Sequence, residues 1–168
     1  RVGQGGAGVA VGVLARGAQW AALIGALEQR ASAAPAASPQ RRGDLIQIAA
    51  IQERELGDLD AAIAAWQRIA GGGVDDGEAV AALADLYAAT DRWAEMARLL
   101  EASSSTDISR TMARLVRLGD AYRLHLGDPA RALTVYRDAL SISPADARAR
   151  DGAAALLDVP TTRAGATD

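Results

Sequence analysis

The chain has 168 residues, 50% of them hydrophobic, and a formal charge of -3; that suffices for one buried core or a short repeat array, and an acidic balance argues against a phosphate-backbone partner, so no nucleic acid is expected. Alanine leads the apolar fraction while Phe and Cys are absent, which favours closely packed helices over a sheet and excludes disulfide and thiolate chemistry. Every basic side chain is Arg and Asn is missing too, a compositional bias that lowers the information carried by any single Arg.

Residues 1–6 read as a flexible Gly-rich lead-in. "GQGGAG" at 3–8 satisfies G-x-G-x-x-G, but no strand leads into it, so a dinucleotide site is not expected. The apolar runs at 7–15 and 21–27 are shorter than the ~20 residues a spanning helix requires, and Arg1 alone supplies a basic n-region, so neither a signal peptide nor membrane insertion is expected. Because it begins with Arg rather than Met, the chain is read as a fragment of a longer protein or a processed product.

Apolar spacing predicts helices at 7–16, 18–32, 41–56, 59–70, 76–89, 92–102, 108–125, 129–141 and 145–157. Residues 34–40 form a linker, and "QRR" at 40–42 reads as solvated charge at the next helix start. Gly57-Asp58 and Gly127-Asp128-Pro129 each supply a residue tolerant of positive φ, an N-cap acceptor and, in the second case, a Pro suited to the first helical position. Asp75 with Glu78 reads as a capping box within "VDDGE" rather than a calcium loop, since the alternating oxygen ligands are missing. Ser143-Pro144 is the start signal of the last helix, and 159–168 a disordered tail.

The helices repeat. A shift of 70 residues pairs Leu45 with Leu115, Ile48 with Leu118, Leu56-Gly57-Asp58 with Leu126-Gly127-Asp128, Ala62 with Ala132, Trp66 with Tyr136, Asp76 with Asp146 and Leu86 with Leu156. A shift of 73 pairs Trp20 with Trp93, making the chain's start a worn copy of its middle. Small residues (Ala49, Gly119, Ala62, Ala132) are expected where helices touch, with Trp66, Tyr87, Tyr122 and Tyr136 between neighbouring hairpins.

The pattern Leu118-Gly119, Tyr122, Gly127, Ala132, Tyr136, Ala139 and Pro144 over 111–144 resembles the tetratricopeptide repeat. The copy at 76–103 keeps Leu83-Ala84, Tyr87, Asp91, Trp93, Met96 and Leu100; that at 41–74 keeps Ile48-Ala49, Gly57, Ala62 and Trp66, with Gln52 where an aromatic is usual and Val74 in place of Pro. The copy at 7–32 is the most degenerate. The resemblance implies an all-α superhelical solenoid of about four helical hairpins plus a terminal helix over 7–158, whose concave groove takes a protein or peptide partner. Mapped by position, the groove candidates are Glu53, Arg54, Glu78, Asp85, Asp120, Arg123, Arg148 and Asp151. A partner-carboxylate clamp built from Lys and Asn, known in one subclass, is not expected, because this chain contains neither residue.

Chemistry is otherwise sparse. His125, the only histidine, falls in a last helical turn where it complements the dipole; with no Cys beside it, neither a zinc site nor a nucleophile–base pair can be assembled. Trp20, Trp66 and Trp93 recur at repeat positions and read as packing. No cofactor and no metal are expected. The expected function is a non-catalytic interaction scaffold; the rivals are a structural or regulatory segment of a multidomain enzyme, and a self-assembly module stacking through its end helix at 145–157.

Overall fold

A computed structural model describes residues 5–71 and 76–157, with side chains from residue 16 onward in the first stretch. Among the described residues the chain is all helical, in the order α1 (Gly5–Ala33), α2 (Pro39–Arg54), α3 (Leu59–Ala70), α4 (Gly77–Ala89), α5 (Trp93–Ala102), α6 (Ile108–Leu124), α7 (Pro129–Ile142) and α8 (Ala147–Leu157). Of the expected lead-in at 1–6, residues 1–4 lie outside the described residues, as does the tail at 159–168, while residues 5–6 belong to α1.

The first expected hairpin is a single helix. The spacing predicted a break between 16 and 18, yet α1 runs through Gly17, whose φ is not positive. A break there would need an αL residue followed by a cap, and neither Ala18 nor Gln19 offers the acceptor that Asp58 and Asp128 offer after their glycines. The linker is also shorter than expected: Ser38 caps α2, its Oγ accepting the Arg41 N–H at 3.2 Å, with Pro39 in the first turn.

The two Gly-Asp turns form as the sequence predicts, and they are built alike. Gly57 and Gly127 have φ of 66° and 63°. The amides after them donate to Gln52 O at 2.8 Å and Tyr122 O at 3.0 Å, while Asp58 and Asp128 accept from the Ala61 and Arg131 amides at 2.9 and 3.0 Å. The α4–α5 turn is one residue tighter, a Schellman motif in which Arg92 N–H reaches Tyr87 O at 2.8 Å and Asp91 N–H reaches Ala88 O at 3.3 Å. Asp91, at φ 56°, stands where the motif prefers Gly.

Two caps differ from expectation. Asp76, not Asp75, opens α4, its Oδ1 accepting from the Glu78 and Ala79 amides at 3.1 Å each; Asp75 lies outside the described residues. Asp146, not Ser143, opens α8 by accepting from Ala149 N–H at 2.8 Å. Asp76 and Asp146 are the pair matched by the 70-residue shift, so the repeat carried the correct cap positions.

The chain divides into two compact units, Arg1–Leu86 and Tyr87–Asp168. In the first, α1 packs on α2 and α2 on α3 around Leu27, Ala31, Leu45, Ile48, Ala49, Ala62, Ile63 and Trp66. Asp44, the one buried charged residue in the described part, is engaged by the Arg30 guanidinium, whose Nε lies 2.9 and 3.1 Å from the two carboxylate oxygens. In the second, α6 packs on α5, α7 and α8, and α7 packs on α8, around Met96, Leu100, Leu115, Leu118, Tyr122, Ala132, Tyr136 and Ala149. The small residues expected at contacts, Ala49, Ala62, Gly119 and Ala132, are all buried.

Candidate functional site

Three of the eight expected groove residues meet around one tyrosine. Asp120 and Arg123 lie three residues apart on α6, and so on one helix face; Tyr136 comes from α7 and Arg148 from the first turn of α8. The fully buried Tyr136 ring lies between two glycines of neighbouring helices. A Cβ at Gly119 would fall 2.6 Å from Cε1 of that ring, and a Cβ at Gly152 would fall 2.4 Å from Cζ. Only glycine admits the ring at both positions, so sequence choice on α6 and α8 sets where the hydroxyl emerges.

That hydroxyl donates to Asp120 Oδ1 at 2.6 Å and accepts from Arg123 Nε at 3.2 Å. Arg148 Nη2 donates to the other Asp120 oxygen at 3.1 Å, and Arg123 Nη2 stands 3.6 Å from Oδ1. Burial, reinforced by donation to Asp120, pushes the Tyr136 hydroxyl up to about 12, so it stays protonated near neutral pH and serves as a donor. The bond to that hydroxyl holds Arg123 still more firmly protonated than usual. Asp120 and Arg123 are 28% and 27% exposed at the side chain, against 75% for Arg148. The cluster is therefore rooted in the core and open at one guanidinium, with two cations to one carboxylate.

The other expected residues are not part of it. Glu53 and Arg54 are exposed on the last turn of α2, with no ion pair reaching them among the described residues. Asp85 and Asp151 are exposed on α4 and α8. Glu78 pairs with Arg42, which also holds Asp76 through contacts of 2.6 and 3.1 Å. Arg42 first, and then the α4 amides, keep the Asp76 carboxyl below its ordinary range.

Position mapping missed the hydroxyls. Tyr122 donates to Glu101 and accepts from Arg131 Nη1 at 3.2 Å, with the Arg131 guanidinium 5.5 Å from its ring centre. The repeat pattern assigns both tyrosines to packing alone; their recurrence beside Arg and acid positions is the signal in the sequence. His125, expected in the last turn of its helix, is the C-cap residue of α6, and its ring stacks on Trp93 with centres 3.5 Å apart and an interplanar angle of 8°.

Among the described residues no three His, Asp or Glu side chains are grouped to hold a metal ion, and no helix is long and apolar enough to cross a membrane. No protein-family model matches the chain, and no curated protein matches it.

Proposed function

We propose that this chain is a tetratricopeptide-like helical array acting as a non-catalytic protein-interaction scaffold, with the Asp120, Arg123 and Arg148 cluster as an anchor for a partner's acidic or carbonyl groups. The observation that carries this reading is that, within each unit, polar contacts tie every helix to the next but one. Glu28 of α1 meets Arg68 of α3 at 2.7 and 2.9 Å, and Arg42 of α2 meets Asp76 and Glu78 at the start of α4. In the second unit the Tyr122 hydroxyl joins Glu101 of α5 to Arg131 of α7, and Asp120 of α6 meets Arg148 of α8.

Contacts between helices n and n+2 are what stacked antiparallel hairpins require, since each hairpin leaves an apolar face for its neighbour to cover. Asp120 and Arg148 sit on the first helices of successive hairpins, which are the helices that line the groove in this class of array.

Selection from a displayed random-peptide library tests the reading. Binders are expected to carry acidic residues and to lose capture by the doubly reversed variant Arg148→Glu, Asp151→Arg, with helicity unchanged by circular dichroism. Equal capture by that variant would remove the groove assignment. A second reading, self-assembly through the end helix, is favoured by Leu157, 69% exposed at the end of α8. A strict monomer by light scattering up to high micromolar concentration would remove it.

A further inference from the structure

The two repeat registers meet at the α4–α5 turn. A shift of 70 residues lays α8 on α4, pairing Ala149 with Ala79, Ala154 with Ala84 and Leu157 with Tyr87. A shift of 73 lays the second half of α1 on α5, pairing Trp20 with Trp93, Leu23 with Met96, Leu27 with Leu100 and Glu28 with Glu101. Matched residues do matching work. Ala79 and Ala149 are both fully buried, as are the paired leucines Leu27 and Leu100 to within a few per cent, and α1 packs on α2 as α5 packs on α6. Glu28 bonds Arg68 of α3, and Glu101 reaches Arg131 of α7 through the Tyr122 hydroxyl.

Burial departs from the match on one face of each end helix. Met96 is 1% exposed but Leu23 is 43% exposed; Tyr87 is 5% exposed but Leu157 is 69% exposed. On α1, Ala22 and Ala26 lie one turn apart beside Leu23 and are exposed with it, whereas their counterparts Glu95 and Leu99 are half-buried. Residues 17–27 carry no charge at all. On α8, Ala154 shares a face with Leu157 and is exposed, whereas Ala84 is buried. Arg150 stands where α4 has Val80, which confines the apolar part of that face to the last two turns.

The open faces are the counterparts of two arms of one turn. Helices α4 and α5 follow each other directly, Arg92 N–H reaching Tyr87 O at 2.8 Å between them. No such turn precedes the second half of α1, because a helix that runs on through Gly17 cannot also fold back on residues 18–33. An α5-like face therefore stands open on α1 and an α4-like face on α8. Each has the small or apolar side chains that the other's repeat counterpart is built to meet, and apolar helix faces of that kind gain stability by covering one another.

We propose that the last two turns of α8 of one copy dock on the face of α1 formed by Ala22, Leu23 and Ala26 of a second copy, with Leu157 against Leu23. The proposal rests on the self-assembly reading above and names its two surfaces. Because those surfaces differ, the contact is heterologous and can repeat from copy to copy.

The test mixes two variants of the full chain, each spoiled at one surface by a charge at an exposed position. Leu23→Glu keeps the α8 face, and Leu157→Glu keeps the α1 face. Light scattering and sedimentation should show the mass of the wild-type protein growing with concentration. Each variant alone should associate at least about tenfold more weakly, the scale set by burial of one leucine, with helicity by circular dichroism retained. Mixed in equal amounts, the two should form a dimer and nothing larger, because a single intact pair of faces remains between them. A wild-type protein that stays monomeric at high micromolar concentration would sink both the pairing and the self-assembly reading. Association that either variant retains in full, or a mixture that stays monomeric while the wild type associates, would sink the pairing alone.

Discussion

Replacing Gly152 by Ala and replacing Gly25 by Ala are the same chemical change in the interior of a helix, yet they should move stability in opposite directions. At Gly25 the new methyl meets nothing within 4 Å, so reduced chain entropy should stabilise the fold by about 0.5–1 kcal/mol. At Gly152 it would fall 2.4 to 2.7 Å from three atoms of Tyr136. That ring cannot swing away, because it is fully buried and its hydroxyl is held by Asp120 and Arg123. Overpacking costs about 1–3 kcal/mol; set against a helix-propensity gain of about 1 kcal/mol, the expected net loss is up to about 2 kcal/mol. Gly119→Ala should behave like Gly152→Ala, its closest contact being 2.6 Å. Urea unfolding followed by circular dichroism reads the difference, which amounts to about 1–3 kcal/mol between Gly25→Ala and Gly152→Ala on those same terms. In the double variant Gly152→Ala, Tyr136→Leu the penalty should shrink, since the clashing ring is gone. A Gly152→Ala protein as stable as Gly25→Ala would refute the placement of the Tyr136 ring between the two glycines.

Three further outcomes follow from single residues. Asp91 sits at φ 56° in a Schellman turn, so Asp91→Gly should raise stability by about 1 kcal/mol by relieving a left-handed conformation, measurable as a shift in the denaturant midpoint. Asp76 has its carboxyl depressed by Arg42. Its contribution is full above the unfolded aspartate value of ~3.9 and is lost as pH falls below it. Asp76→Asn should therefore cost about 1–2 kcal/mol at pH 7 and converge with wild type toward pH ~2. Tyr136 is raised to about 12, so its contribution is full below the unfolded value of ~10 and fades as pH climbs to that raised value. Tyr136→Phe should be less stable by about 1 kcal/mol at neutral pH, a gap that narrows in alkaline unfolding.

Much of the secondary structure was legible before any coordinates. Helix α3 has the bounds its spacing predicts, and both Gly-Asp turns form with the expected positive φ and cap. These features are decided within a few residues, by capping acceptors, by glycine's tolerance of αL and by a 3.6-residue period. Where local signals competed, the prediction erred. Gly17 looked like a helix end, but with no cap after it the helix continues; Ser143 looked like a cap, but the matched acid Asp146 does the capping.

The clustering of Asp120, Arg123 and Arg148 was not legible, because it joins residues up to 28 positions apart through a tyrosine seated between glycines of two other helices. Nor could sequence spacing tell that Glu28, Asp44 and Asp76 are claimed by arginines 14 to 40 residues away while Glu53 and Glu55 are not. By itself the sequence determined that this chain is helical, where most helices start and stop, and which small and large residues alternate in the core. Which charges cancel and which stay open to a partner was decided by packing alone, because long side chains reach their mates only after helix faces have met, and no local rule records that meeting.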